Sequence, residues 1–130
     1  MKYTVGVDIG TFETKAVLVN EIGEVEAQAH RPHKMLVPQP GWAEHRPNED
    51  WWGDFCQVTN EIVKESGINS ADIKGLACSA IGPCMLPVDD KGEPLVSTRN
   101  YVGKFATDKL TKWATGLAPK LAITLTAVSG

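Results

Sequence analysis

Several features are missing from this sequence, and each absence excludes a class of protein. No apolar run reaches the roughly 20 residues that a membrane-spanning helix needs. No basic stretch with interleaved aromatic residues is present, and the formal net charge is −3, which disfavours a nucleic-acid-binding surface. The N-terminal segment does not fit a secretory signal, because Asp8 interrupts its first apolar run. We therefore expect a cytoplasmic protein with no membrane or nucleic-acid partner.

Cysteine is scarce, with 3 residues at Cys56, Cys78 and Cys84. An odd number without Cys-x-x-Cys spacing does not indicate a zinc site. Cys56 falls on a predicted helix, Cys78 on a predicted buried strand and Cys84 at the start of the next strand. We expect reduced thiols whose role is packing.

The first part of the chain predicts a meander of antiparallel strands. The runs 3–7 and 16–19 are rich in the β-branched residues that favour strands, and the loop 8–15 separates them. A turn at 20–23 precedes residues 24–30, which alternate apolar and polar side chains. The sequence therefore predicts a three-stranded antiparallel meander with the loop 8–15 at one tip.

The residues of this loop suit the binding of a nucleotide phosphate. We expect a positive φ at Gly10, which would let the amides of Gly10, Thr11 and Phe12 converge on an anion. Thr11 adds a hydroxyl donor and Lys15 a cation. Asp8 supplies an oxygen ligand of the kind that Mg²⁺ takes directly or through water. The alternative is a plain hairpin turn, for which Asp-x-Gly-Thr is also common.

A long amphipathic helix is predicted from about Pro47 to Ser66, with Gly67 as its terminator. Its apolar positions recur at intervals of three and four residues: Trp51, Trp52, Phe55, Val58 or Thr59, Ile62 and Val63. Its solvent-facing positions are expected to be Asp54, Gln57, Glu61 and Lys64. Residues 74–79 then form a strand of small residues, which is typical of a buried position in a sheet.

The order of these segments resembles the FGGY family of carbohydrate kinases, within the superfamily of actin-like ATPases. The resemblance runs from Val5 to about Leu95, and its carriers are the Asp8-x-Gly10-Thr11 hairpin and the segments 40–52, 79–89 and 92–95. It implies an α/β fold of the ribonuclease H-like or actin-like type, with the meander in a mixed sheet flanked by helices. It also implies that 1–130 is part of an N-terminal domain whose partner, a C-terminal ATPase domain, is absent from this chain.

The resemblance implies an enzyme that transfers the γ-phosphoryl group of ATP to a hydroxyl of a sugar or polyol. ATP and Mg²⁺ are the expected cofactors, held by Asp8, Gly10, Thr11 and Lys15, with Asp8 as the metal ligand. A sugar or polyol and ATP are the expected small-molecule partners. A homodimer is a possible assembly of the protein.

Five residues are candidates for the sugar site, again through the resemblance. Trp42 and Glu44 lie in the stretch that leads to the long helix, where structural packing is the alternative role. Ile81, Gly82 and Pro83 follow the strand 74–79. Because this loop is apolar and has no polar side chain to select hydroxyl groups, the sequence leaves the sugar undetermined.

The final third departs from the family pattern. In the family an Asp after the Gly-x-Pro-Leu segment acts as general base, whereas here none occurs near Tyr101–Phe105 and Asp108 better fits the first turn of a helix. No catalytic residue is therefore identified, and the 130 residues alone are not expected to turn over ATP. We expect the chain to be part of a longer kinase. The alternatives are a non-catalytic, kinase-like binding module or inactive fragment, and a sensor ATPase of the actin-like superfamily.

Overall fold

The computed structural model describes residues 1–82, 84–86, 88–94 and 98–100. In chain order the strands are β1 Tyr3–Ile9, β2 Glu13–Asn20, β3 Val25–Pro32, β4 Ala43–His45, β5 Ile73–Ala80, β6 Cys84–Met85 and β7 Thr98–Asn100. Between β4 and β5 lie a π-helical segment Pro47–Gly53, the α-helix α1 Asp54–Ser66 and a 3₁₀ turn Ser70–Asp72. The chain divides into two compact units, 1–34 with 48–81, and 35–47 with the residues from 82 onward.

The first unit contains a mixed four-stranded sheet in the order β3-β2-β1-β5. β1 pairs antiparallel with β2, and β2 pairs antiparallel with β3, which confirms the predicted meander. β5 adds to β1 in parallel. Asp8 near the end of β1 is in register with Lys15 on β2 and with Ser79 on β5.

Helix α1 covers one face of the meander and closes the core of the first unit. The buried apolar residues of this core come from all three meander strands and the helix: Val5, Val7, Ala16, Leu18, Ala29, Val58 and Ile62. Phe55 and Val63 pack against them, as the helical periodicity predicted. The helix ends at Gly67, whose φ of 65° is the left-handed conformation that glycine adopts at low cost.

Two positions on this helical segment differ from the sequence prediction. Trp52 is 65% exposed and stacks on Phe55 with ring centroids 5.6 Å apart, so only Trp51 of the pair is withdrawn from solvent. Adjacent helical residues point in different directions, which prevents both indoles from entering the core. Asp54 was expected on the wet side, yet its side chain is mostly buried because it pairs with His33.

The prediction that the strand of small residues is buried is wrong. β5 forms the edge of the described sheet and is largely exposed, with Leu76 at 53% and Cys78 also exposed. The physical reason is the position of α1, which lies against β2 and β3 and barely reaches β1.

The second unit contains a small sheet in the order β4-β7-β6, in which both pairings are antiparallel. Leu36 and Glu44 exchange backbone hydrogen bonds of 2.7 and 2.8 Å, which attach the segment before β4 to that strand. The helix predicted to begin near Asp108 lies outside the described residues. No helix in the described ranges is long and apolar enough to cross a membrane.

Candidate functional site

Asp8 is the acidic centre of the candidate site. It lies near the end of β1, the strand that pairs on one side with β2 and on the other with β5. The Ser79 hydroxyl donates a hydrogen bond of 2.6 Å to Asp8 Oδ1, and the Asp8 side chain is exposed. An ionised carboxylate accepts about four hydrogen bonds or metal contacts. One bond from Ser79 therefore orients Asp8 and leaves it capacity for a ligand.

Lys15 lies opposite Asp8 on the neighbouring strand but forms its ion pair with Glu13, at 2.8 Å. The Glu13 carboxylate, and more weakly Asp8, raises the pKa of Lys15 above its usual value. In return Lys15, followed by His30, holds the pKa of Glu13 below its usual value. The side chain of Lys15 is 56% exposed, so it supplies a solvated positive charge beside Asp8.

The tip of the hairpin differs from the predicted phosphate nest. The Gly10 amide donates to the Glu13 carbonyl at 2.8 Å, so this N–H closes the hairpin and does not point at a ligand. Gly10 also lacks the expected positive φ, which occurs instead at Gly23, Gly41, Gly67 and Gly92. Glycine is required at position 10 for another reason, because a Cβ there would lie 2.9 Å from the Glu13 carbonyl oxygen. Thr11 and Phe12 thus form the tip itself.

His33 is a residue of this site that the sequence analysis missed. Its ring is almost completely buried, with Nδ1 2.9 Å from Asp54 Oδ2 and Nε2 3.0 Å from the Gly10 carbonyl oxygen. Its backbone amide donates to the Phe12 carbonyl at 2.8 Å. The register of the meander could have indicated it. Pro32 at the end of β3 pairs with Glu13 beside the tip, so the following residue, His33, lies alongside the tip.

The donor set fits a magnesium–nucleotide complex better than a metal held by protein alone. Among the described residues, no group of three or more His, Cys, Asp or Glu side chains could hold a metal ion. Asp8 is a single exposed carboxylate, and Mg²⁺ commonly takes one or two carboxylates while it keeps water and phosphate ligands. The chemistry of Asp8, with the Lys15 cation beside it, suits such a ligand.

The sugar-site candidates fall in both units, each of which is described by itself. In the first unit the Ile81 amide donates to the Ile9 carbonyl at 2.9 Å and so extends the pairing of β5 with β1. In the second unit Trp42 is half-buried, Glu44 is buried within β4, and Gly82 is exposed. Pro83 and the segment Tyr101–Phe105, where the base was expected, lie outside the described residues.

The cysteines are free thiols, as predicted. Burial raises the pKa of the Cys84 thiol to about 11, which disfavours the thiolate. Burial and the nearby Asp8 carboxylate raise the pKa of Cys78, although this side chain is partly open to solvent. Neither thiol has the lowered pKa of a nucleophile.

Residues 3–120 match the model of the FGGY family of carbohydrate kinases, N-terminal domain. The chain belongs to this family. The match extends beyond the segment 5–95 on which the sequence resemblance depended. The Asp8 hairpin, the helix α1 and the described residues of the small sheet therefore all lie within an FGGY N-terminal domain.

Curated relatives of this FGGY chain include glycerol kinases. Those from Staphylococcus epidermidis and Bacillus licheniformis are each 37% identical over 75 residues, which cover 58% of this chain and 15% of the relative. The matched part of the chain thus corresponds to only 15% of the length of these enzymes.

Solved structures of the family have the same fold. The xylulose kinase from Rhodospirillum rubrum aligns with a TM-score of 0.71 and 28% identity, covering 85% of this chain and 23% of that one. The ligand-bound xylulose kinase from Lactobacillus acidophilus aligns with a TM-score of 0.73 and 19% identity, covering 90% and 23%. These likenesses confirm the predicted actin-like ATPase fold.

Proposed function

We propose that this FGGY chain is the N-terminal part of an ATP-dependent carbohydrate kinase, which transfers the γ-phosphoryl group of ATP to a hydroxyl of a sugar or polyol. The family match and the glycerol and xylulose kinases among its relatives support this assignment. The observation that carries it is the exposed Asp8 carboxylate, oriented by Ser79 and flanked by Lys15 at the end of β1. The proposed domain is 1–130, completed by a C-terminal ATPase domain elsewhere in the protein.

On this proposal the hairpin binds the phosphate end of the nucleotide. Mg²⁺, when bound, spreads the negative charge that develops on the transferred phosphoryl group. Asp8 holds the ion directly or through water, Thr11 donates its amide and hydroxyl to phosphate oxygens, and Lys15 adds positive charge. Gly10 contributes by closing the tip tightly, because its own amide is already bound to Glu13. Together these groups position the phosphates, which is the main task of a protein in phosphoryl transfer.

Trp42, Glu44, Ile81, Gly82 and Pro83 are each proposed as candidate contacts for the sugar or polyol. The resemblance to family segments that line the sugar cleft supports this proposal. The same proposal includes a cytoplasmic location and assembly as a homodimer. It includes no nucleic-acid or membrane partner.

The test is a kinase assay with ATP, Mg²⁺ and a panel of sugars and polyols on the purified protein and its Asp8→Asn variant. This substitution keeps the size of the side chain and removes its charge. We expect turnover to fall roughly 100-fold or more, the size of effect seen when a group that stabilises transition-state charge is removed. Asp72→Asn, on the 3₁₀ turn before β5, is the matched control and should retain activity.

Two results would overturn parts of this proposal separately. Full activity in Asp8→Asn would remove Asp8 from the site. A wild-type protein that binds sugar but phosphorylates none would favour the second candidate, a non-catalytic binding module, which is supported by the absence of Asp from 96–105. Intact mass is the first measurement, since a mass several-fold above 14.1 kDa is expected of the whole kinase.

A further inference from the structure

The buried ring of His33 connects the hairpin tip to helix α1. Its side chain is 3% exposed and that of Asp54 is 13% exposed. One ring nitrogen faces the Asp54 carboxylate at 2.9 Å, and the other faces the Gly10 carbonyl at 3.0 Å. The hairpin tip is therefore held by a side chain from the end of β3, which is itself held by the first residue of α1.

The Asp54 carboxylate and the Gly10 carbonyl are both hydrogen-bond acceptors, and each lies within hydrogen-bond distance of a ring nitrogen of His33. A neutral imidazole carries one N–H and could donate to only one of the two partners. Donation to both the Asp54 carboxylate and the Gly10 carbonyl needs a proton on each ring nitrogen. An imidazolium meets this need, and the adjacent Asp54 carboxylate would compensate for the burial of its charge.

This contact determines the direction of a peptide group at the tip. The described peptide bonds are all trans, so within the Gly10–Thr11 peptide the C=O and N–H point in opposite directions. Because His33 holds the Gly10 carbonyl on one side, the Thr11 N–H points to the other. The bond from the His33 amide to the Phe12 carbonyl holds the far end of the same tip.

We propose that His33, as an imidazolium oriented by Asp54, is a positioning residue that sets the direction of the Thr11 amide in the hairpin. Its consequence for ATP rests on the proposed function, because Thr11 is there a phosphate donor. The charge of the ring and its contact with Gly10 do not rest on it. The two parts can therefore be tested separately.

The first experiment detects the ring protons of His33 by nitrogen-correlated NMR of the full protein. We expect both Nδ1 and Nε2 to carry protons. In Asp54→Asn, the new amide can donate to Nδ1, so we expect Nδ1 to lose its proton while Nε2 still donates to Gly10. Glu65→Gln removes a charge from an exposed position on the same helix and should leave both protons in place. A wild-type ring with a proton on one nitrogen only would overturn the proposal.

The second experiment measures ATP kinetics of His33→Gln and His33→Phe, with far-ultraviolet circular dichroism to verify folding. We expect KM for ATP to rise roughly 10- to 100-fold, as when the group that orients a ligand is removed, while KM for the sugar stays unchanged. Equal losses toward both substrates would show a general structural role and contradict positioning. If the wild-type protein shows no kinase activity, the proposed function fails, whereas the ring protons still decide the state of His33.

Discussion

The two turns of the meander differ in how many of their supporting contacts come from distant residues. Apart from a 3.4 Å bond from the Lys2 amide to Glu21, the turn between β2 and β3 is held by its own residues. Asn20 Oδ1 accepts the amides of Ile22 at 3.1 Å and Glu24 at 2.9 Å. The Asn20 side-chain amide also donates to Glu24 and Glu26. Gly23 supplies the positive φ, at 90°. Every other contact named here comes from within the turn or the start of β3.

The tip between β1 and β2 is closed by its own Gly10–Glu13 bond and is also held by remote elements. His33, from the end of β3, holds the carbonyls of Gly10 and Phe12. Ser79, on β5, orients the carboxylate of Asp8. Remote support can hold side chains in an arrangement that the local sequence alone does not favour. This difference agrees with the proposal that the first turn binds a ligand.

The largest effect is expected from a change that removes the support shared by both turns. Ile62 on α1 is 0% exposed beneath the meander. Ile62→Ala leaves a cavity and should lower the free energy of unfolding by about 2–5 kcal/mol, measured by chemical denaturation. Ile22→Ala, at an exposed position of the second turn, is the matched control and should change it by less than about 0.5 kcal/mol. Similar losses in both variants would contradict the assignment of the core.

A pair of glycine substitutions separates the two turns directly. In Gly10→Asn the new Cβ meets the Glu13 carbonyl oxygen at 2.9 Å, so the backbone must shift, and we expect a loss of about 1–3 kcal/mol. At Gly23 no atom lies within 4 Å of a Cβ, and asparagine tolerates a positive φ better than most residues. Gly23→Asn should therefore cost about 1 kcal/mol or less. Chemical denaturation curves measure both losses of stability. A larger loss in Gly23→Asn than in Gly10→Asn would mean that the strain of a positive φ outweighs the close contact at position 10.

The meander and the helix were predictable from sequence because their signals are local. Alternation with a period of two indicated the strands, and spacings of three and four indicated the buried positions Val58 and Ile62. The helix end at Gly67 and the turn at Asn20–Gly23 were predictable because glycine marks positions where the backbone needs a positive φ. Asp8 was chosen as a candidate because a carboxylate between two apolar runs of sequence is unusual, and its role stays a prediction.

The contacts that complete the site were not predictable, since they join residues that are distant in sequence. His33 and Asp54 belong to no motif, and helical periodicity alone placed Asp54 in solvent. The exposed edge at Leu76 depends on which meander strand β5 joins and on how far α1 extends over the sheet. The local pattern also predicted a positive φ at Gly10, which the structure does not show. Glycine is needed there because the hairpin pairing brings the Glu13 carbonyl oxygen close to position 10.

A smaller effect is expected from removing the local support of the second turn. Asn20 is 5% exposed and its oxygen accepts two backbone amides. Asn20→Ala should lower stability by about 1–2 kcal/mol, as expected for lost hydrogen bonds of about 1 kcal/mol each. Amide exchange at Ile22 and Glu24 should quicken, while the ring protons of His33 stay unchanged.

The control for this prediction is Asn69→Ala, which removes a similar side-chain cap at an exposed position before β5. Asn69→Ala should lower the free energy of unfolding by less than Asn20→Ala does, because water replaces an exposed hydrogen bond more readily. If Asn20→Ala altered the His33 ring, the two turns would be coupled through β2, and the contrast between them would be wrong.

The smallest effect is expected at the exposed pair beside the first tip. Lys15 holds the pKa of Glu13 below its ordinary value of 4.5, so Lys15→Gln should raise it, as measured by carboxyl NMR titration. Because the pKa of Glu13 is lower in the folded state, the ion pair stabilises the protein at pH values above the ordinary pKa. This stabilisation is lost as the pH falls through the lower, folded-state pKa. The variant and wild type should therefore differ slightly near neutral pH and converge in acid. Lys64→Gln on α1 should leave Glu13 unchanged, and an unchanged titration in Lys15→Gln would mean that His30 alone sets the charge of Glu13 beside the tip.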